Sequence, residues 1–152
     1  MRASQFFIST LKEAPSDAEV VSHQLMTRAG MIKKLAGGIY NYMPMGLRVI
    51  RKIEAIIREE MNAVGGQEVY MTTLQPRDIW EKTDRWDDSK VDNWFKTKLK
   101  SGEELGVGLT HEEPIVDALS EYVSSYRDLP ISIYQIQNKF RNELLRAQKK
   151  SI

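Results

Sequence analysis

An arginine and a carboxylate two positions apart, Arg141 and Glu143, are the first pair in this chain with types and spacing suited to chemistry. They close the run 131–143, where Ile131, Ile133, Gln135 and Gln137 alternate with Tyr134, Ile136, Asn138 and Phe140. Alternation with period two is the pattern of a strand, here packed near its start and polar toward its end. Side chains two apart on a strand share a face, so a guanidinium would stand beside a carboxylate. That fork of donors next to an acceptor suits an anionic ligand, above all a phosphate or carboxylate. A salt bridge at an exposed strand end is the simpler reading of the same pair, and such pairs are common and weak.

A second group sits at Thr110-His111-Glu112-Glu113. Thr110 and Glu113 match a capping box, and Pro114 is tolerated where a first-turn amide has no helical partner anyway. This leaves Glu112 unexplained, as an acidic side chain able to hold a cationic ligand group. His111-Glu112 is not a zinc-protease motif, because position 115 is Ile. The glycines at 106 and 108 do not extend to a dinucleotide fingerprint, since position 111 is His. Close approach by a ligand or a neighbouring strand is what remains for them.

Several elements must position these groups. Ser16 or Asp17 can cap a helix that runs to Gly30 and carries His23 among polar neighbours, which points to a hydrogen-bonded or exposed imidazole. Residues 39–43 form a short β-like run ended by Pro44. From about Leu47 a long helix shows one apolar stripe, Leu47, Ile50, Ile53, Ile57 and Met61, widened by Ile56 and Val64, with Glu54 and Arg58 paired on the opposite face. Gly65-Gly66 stops it. A strand over 67–74 follows, closed by Pro76, which also serves as the first-turn proline of a helix over 77–85 with Trp80 facing the core. Residues 84–92 are a charged loop, and 91–99 with 104–109 form a hairpin about Ser101-Gly102. The helix opened at Thr110 continues through Ile115, Val116, Leu119, Tyr122, Val123 and Tyr126 to Leu129-Pro130.

Composition sets limits. The chain of 152 residues has 22 basic and 21 acidic side chains, so no global field announces a nucleic-acid partner. It has no cysteine, hence no disulfide or thiolate site, which fits a reducing, cytoplasmic compartment. Two histidines are too few for a histidine zinc centre. Apolar runs are too short for a membrane span and the N-terminus is a poor signal peptide.

Taken as an ordered set, these motifs resemble the bacterial-type prolyl-tRNA synthetases. The set is Ser22-His23-Gln24-Leu25 with Arg28-Ala29-Gly30, Gly38-Ile39-Tyr40, Pro44-Met45-Gly46, Arg58-Glu59-Glu60-Met61, Gln75-Pro76 with Trp80, Thr110-His111-Glu112-Glu113 and Lys139-Phe140-Arg141-Asn142-Glu143. The resemblance implies an α+β fold: a class II synthetase catalytic domain, an antiparallel sheet flanked by helices, of which 1–143 is the N-terminal part. Residues 144–152 would begin the second-motif loop or form an irregular tail.

By the same resemblance, the helix from Leu47 and the strand to Pro76 form a homodimer interface. Thr110 and Glu112 contact the ring nitrogen of proline. Arg141 meets the ATP α-phosphate and the substrate carboxylate, and Glu143 the adenine side. ATP is then a substrate accompanied by Mg²⁺, with no zinc. Arg146, Lys149 and Lys150 could touch phosphates of tRNA(Pro), although a solvated basic tail is the plainer reading. The lack of cysteine disfavours the threonyl relative, which selects its substrate with a zinc-bound thiolate. Leu109 stands where the family usually has proline, and a differently shaped loop is expected there. The implied activity is proline–tRNA ligation, with the isolated chain weak or inactive because the later motifs are not in it. A non-catalytic paralogue used for dimerisation, or a sensor of proline or ATP, are the other functions these residues admit.

Overall fold

Pro44, Gly65 and Pro130 punctuate the chain much as their chemistry requires. The computed structural model describes residues 2–143, which fall into two compact units, the first ending at Glu59 and the second running Glu60–Glu143.

In the first unit, helix α1 (Val21–Arg28) leads into a hairpin of β1 (Ile32–Ala36) and β2 (Ile39–Tyr42), antiparallel with Ile32 opposite Tyr42. The cap expected at Ser16 or Asp17 does not form. The helix starts later, after Val20, with no side-chain cap, because Asp17 is taken by an ion pair with Lys34 and the Gln24 amide donates to the Ala18 carbonyl at 2.7 Å. His23 is buried, not exposed, and lies edge-on to the Tyr40 ring at 5.2 Å between centroids.

Helix α2 (Pro44–Ala63) begins at the proline itself, three residues before Leu47. Glu54 and Arg58 pair at 3.5 Å, as their spacing predicts. The helix ends where the amides of Gly65 and Gly66 turn back to the carbonyls of Asn62 and Met61 at 3.0 and 2.9 Å. Its apolar stripe is only partly covered: Ile53 is 52% exposed and Ile56 60%, while Ile50 and Met61 are half-buried.

In the second unit the strand expected over 67–74 is split into β3 (Gln67–Glu68) and β4 (Leu74–Pro76), with helix α3 (Arg77–Glu81) following directly. β5 (Lys96–Lys98) and β6 (Glu104–Val107) form the expected hairpin, and the small antiparallel sheet has the order β4-β6-β5. After helix α4 (Glu112–Ser120) comes β7 (Ile133–Tyr134), which pairs with β3 in parallel, Gln67 opposite Ile133. A parallel pair needs a long crossover, and the whole run from β4 to α4 supplies it. The expected single antiparallel sheet is therefore divided: β4-β6-β5 is antiparallel throughout, and β3 with β7 forms a separate parallel pair.

The strand expected over 131–143 is regular only in β7. Beyond it the Phe140 amide reaches the Gly108 carbonyl at 2.9 Å and the Asn142 amide the Asn93 carbonyl at 2.8 Å, single bonds to different segments and not a ladder. Helix α4 also stops short of Tyr126, because the Asp128 carboxylate takes the amides of Ser124 and Ser125 at 2.9 and 2.8 Å and starts a separate short turn.

The core of this unit is aromatic. Trp80 is fully buried and Trp94 nearly so, their rings 4.2 Å apart, with Trp86 edge-on to Trp94 at 5.0 Å and Leu109 beside them. Gly106 is where this packing needs a hydrogen for a side chain: a Cβ there would lie 2.0 Å from the Trp94 ring. An indole, and not a ligand, explains that glycine. Among the described residues no helix is long and apolar enough to cross a membrane.

Candidate functional site

The turn between β6 and α4 is built around buried polar groups. Gln75, fully buried at the centre of β4, accepts the Trp80 indole N–H at 3.0 Å and donates to the Thr110 carbonyl at 2.9 Å. The indole has only a donor to offer, so it fixes which end of the Gln75 amide faces the turn. The aromatic core thus places the backbone of Thr110. Next to it Gly108 lies where a Cβ would come within 3.1 Å of the His111 ring and 3.2 Å of the Gln75 amide.

His111, 1% exposed, occupies the centre. Its Nε2 lies 3.0 Å from the Thr72 carbonyl, and its Nδ1 meets the Lys139 ammonium. An ammonium only donates, so Nδ1 accepts and the ring proton sits on Nε2, donating to Thr72. Gln137 Nε2, also 3.0 Å from Nε2, is then in contact without bonding. Its amide is committed to the backbone of Met71, accepting from N at 2.8 Å and donating to O at 3.1 Å. Burial holds the His111 imidazole below its usual range, the Thr72 carbonyl opposes this, and the Lys139 charge adds to it. Burial and then the Arg141 charge push the Lys139 ammonium down, with Glu112 pulling it up. Lys139 is therefore within electrostatic reach of both Arg141 and Glu112.

Arg141, in the segment after β7, reaches the same turn with its side chain. Its Nε donates to the Leu109 carbonyl at 3.3 Å, one residue from Thr110, while its Nη1 is 3.9 Å from Glu143. The sequence-adjacent ion pair is at the limit of contact and half in solvent, so it does not occupy the guanidinium. Glu112 is exposed at the start of α4, with Arg85 Nη1 at 3.3 Å. A depression of about 340 Å³ lined by Ile79, Thr83, Glu112, Glu113, Val116 and Asp117 takes in Glu112 and not Arg141. Arg146, Lys149 and Lys150 lie outside the described residues.

The capping box expected of Thr110 and Glu113 is absent. His111 stands at the cap position without a side-chain bond, and Glu113 is turned inward. Its Oε1 accepts from Arg85 Nη1 at 2.6 Å and from the Thr83 hydroxyl at 3.3 Å, and its Oε2 is buried without a partner. A charged donor outweighs a neutral backbone amide for one carboxylate. The sequence reading missed Gln75, His111 and Lys139 as a unit; the polar character of Gln75 inside an apolar strand was the available signal. Among the described residues no three His, Asp or Glu side chains are grouped to hold a metal ion.

No protein-family model matches the chain. Among solved structures, the prolyl-tRNA synthetase of Giardia lamblia in complex with prolyl-adenylate superposes with a TM-score of 0.69 at 25% identity, over 78% of this chain and 25% of that one. The prolyl-tRNA synthetase of Cryptosporidium parvum complexed with L-proline and AMP gives 0.65 at 19% identity, over 79% and 24%. The fold is thus that of an aminoacyl-tRNA synthetase segment, α+β in class. Among curated proteins, the proline–tRNA ligase of Janthinobacterium sp. (strain Marseille) is 57% identical over 143 residues, 94% of this chain and 25% of that protein. That of Burkholderia lata is 53% identical over 144 residues, again 25% of the relative. The chain belongs to the prolyl-tRNA synthetase family and spans about a quarter of the length of the curated relatives it matches.

Proposed function

We propose that this chain supplies the proline-binding half of the activation site of a class II proline–tRNA ligase. Proline's carboxylate oxygen attacks the α-phosphorus of ATP, forming prolyl-adenylate and expelling pyrophosphate. A terminal ribose hydroxyl of tRNA(Pro) then attacks the prolyl carbonyl and releases AMP. Both reactants of the first step are anionic, so alignment and charge neutralisation are the protein's main tasks. Arg141 takes the carboxylate and α-phosphate, Thr110 and Glu112 the ring ammonium, and Glu143 the adenine side. Mg²⁺ belongs to the ATP phosphates; the described residues offer no cluster of their own for it, and no step is assigned to it. Arg146, Lys149 and Lys150 are the tRNA-facing candidates.

The observation that carries this reading is the turn at 109–112, where Arg141 bonds the Leu109 carbonyl at 3.3 Å and Glu112 follows as the first residue of α4. Two opposite charges near one short turn match the two ends of a small zwitterion. In the full-length product of the gene encoding this chain, Glu112→Gln should raise the KM for proline about tenfold or more in pyrophosphate exchange, while the KM for ATP stays within twofold, since a charged hydrogen bond is worth about 1.5–3 kcal/mol. An unchanged proline KM rejects the assignment. Arg85, already bound to Glu113 at 2.6 Å, offers Glu112 only a longer second contact at 3.3 Å, and an exposed contact of that kind exchanges readily.

The α2 stripe supports self-association. Ile53, Ile56 and Ile57, 52%, 60% and 44% exposed, are already about half buried, so each gains about 1 kcal/mol on full burial. Light scattering should find a dimer, and Ile53→Asp with Ile56→Asp should give monomers with α2 still helical by circular dichroism. A monomer would remove the interface.

A further inference from the structure

We propose that the Lys139–His111 contact is a positioning link that sets the span between Glu112 and Arg141 and so tunes the affinity for proline. The proposal rests on the reading of Glu112 and Arg141 as the two ends of the proline site. His111 is flanked in sequence by Thr110 and Glu112, the residues assigned to the ammonium. Its ring is anchored on the far side through Nε2 to the Thr72 carbonyl, ahead of β4. Lys139 precedes Arg141 by two positions, and both side chains reach the 109–111 stretch, Lys139 at His111 Nδ1 and Arg141 at the Leu109 carbonyl. When the Lys139 ammonium donates to Nδ1, the turn that carries Glu112 and the segment that carries Arg141 are tied by side chains as well as by the Phe140–Gly108 and Arg141–Leu109 bonds.

The link is selective in protonation. His111 can receive Lys139 only as the neutral ring with its proton on Nε2; a protonated ring has no acceptor and sets two cations face to face. Besides Lys139, the charged groups that act on the pair are Arg141 and Glu112. The ring's protonation is held below the ordinary 6.5 of a histidine by burial first. Unfolded chains therefore bind a proton here at a pH where the folded one does not. The stability this residue contributes is full above about 6.5, falls as the pH drops below that value, and levels off beneath the folded-state midpoint.

Two measurements test the link. The chain has two histidines, so nitrogen chemical shifts of the imidazoles can be assigned, with His23 as the internal control. His111 should show an unprotonated Nδ1 and a protonated Nε2, with a titration midpoint lower than an ordinary histidine's, and Lys139→Met should move that midpoint upward. In the full-length gene product Lys139→Met should raise the proline KM about tenfold, with the ATP KM and kcat within twofold. Lys139→Arg, which keeps a donor, should recover part of the loss. Lys139 is exposed, so neither variant should unfold the protein; the ring shifts of the unaltered chain decide independently if one does. A proton found on Nδ1 overturns the proposal. So does an unchanged proline KM in Lys139→Met when Glu112→Gln responds. Flat responses to both variants overturn the reading of the proline site itself, and the link with it.

Discussion

Arg141→Ala should lower kcat/KM for proline-dependent exchange of pyrophosphate into ATP by about 10³-fold, the upper end of what loss of one oriented donor set costs in a reaction where negative charge concentrates. The carboxylate of proline and the α-phosphate repel one another, and a cation between them is needed in the transition state more than in either ground state. The geometry leaves the guanidinium able to serve. Nε is spent on the Leu109 carbonyl at 3.3 Å, which orients the plane, while the contact from Nη1 to Glu143 is 3.9 Å long and readily given up. Arg141→Lys should recover little, because an ammonium cannot keep the Leu109 bond and present a second pair of donors. The residue is half-exposed, so the melting temperature should hardly move. Exchange kinetics of the full-length gene product check this. A loss below tenfold, or a full rescue by lysine, would take Arg141 out of the reaction.

What could be read from the sequence divides by the range of the forces involved. Helix α2, the β5–β6 hairpin and the burial of Trp80 follow from periodicity and from glycine and proline, which act over a few residues. The break between β3 and β4 does not, since it depends on β7, brought alongside from far down the chain. Thr110 and Glu113 satisfy a local capping pattern, yet Arg85, 28 residues away, wins the carboxylate. His111 reads as an ordinary loop residue until Gln137 and Lys139, 26 and 28 positions on, close over it. Arg141 and Glu143 were legible as a pair with two meanings. Their 3.9 Å separation weakens the salt-bridge meaning. Gly106 shows the reverse limit, a motif-like glycine whose cause is an indole twelve positions earlier.

Trp80→Ala should destabilise the second unit by about 3–5 kcal/mol, a large part of the roughly 5–15 kcal/mol that holds a domain of ordinary stability together. The ring is fully buried against Trp94 at 4.2 Å, and the Arg85 guanidinium lies over it at 5.2 Å from the centroid. Truncation leaves a cavity, deprives Arg85 of its platform beside Glu112 and Glu113, and leaves Gln75 Oε1 buried without its donor. Trp80→Phe isolates the last effect: most of the packing remains and the N–H is lost, so the cost should be about 1–3 kcal/mol. Urea midpoints with unchanged slopes measure both. The two variants should also differ in what they do to the site. Gln75 without the indole is free to rotate, and its bond to the Thr110 carbonyl at 2.9 Å is then no longer enforced. Trp80→Phe should therefore raise the proline KM out of proportion to its modest loss of stability. A variant that lost stability while leaving the proline KM unchanged would show that the core supports the turn without aligning it.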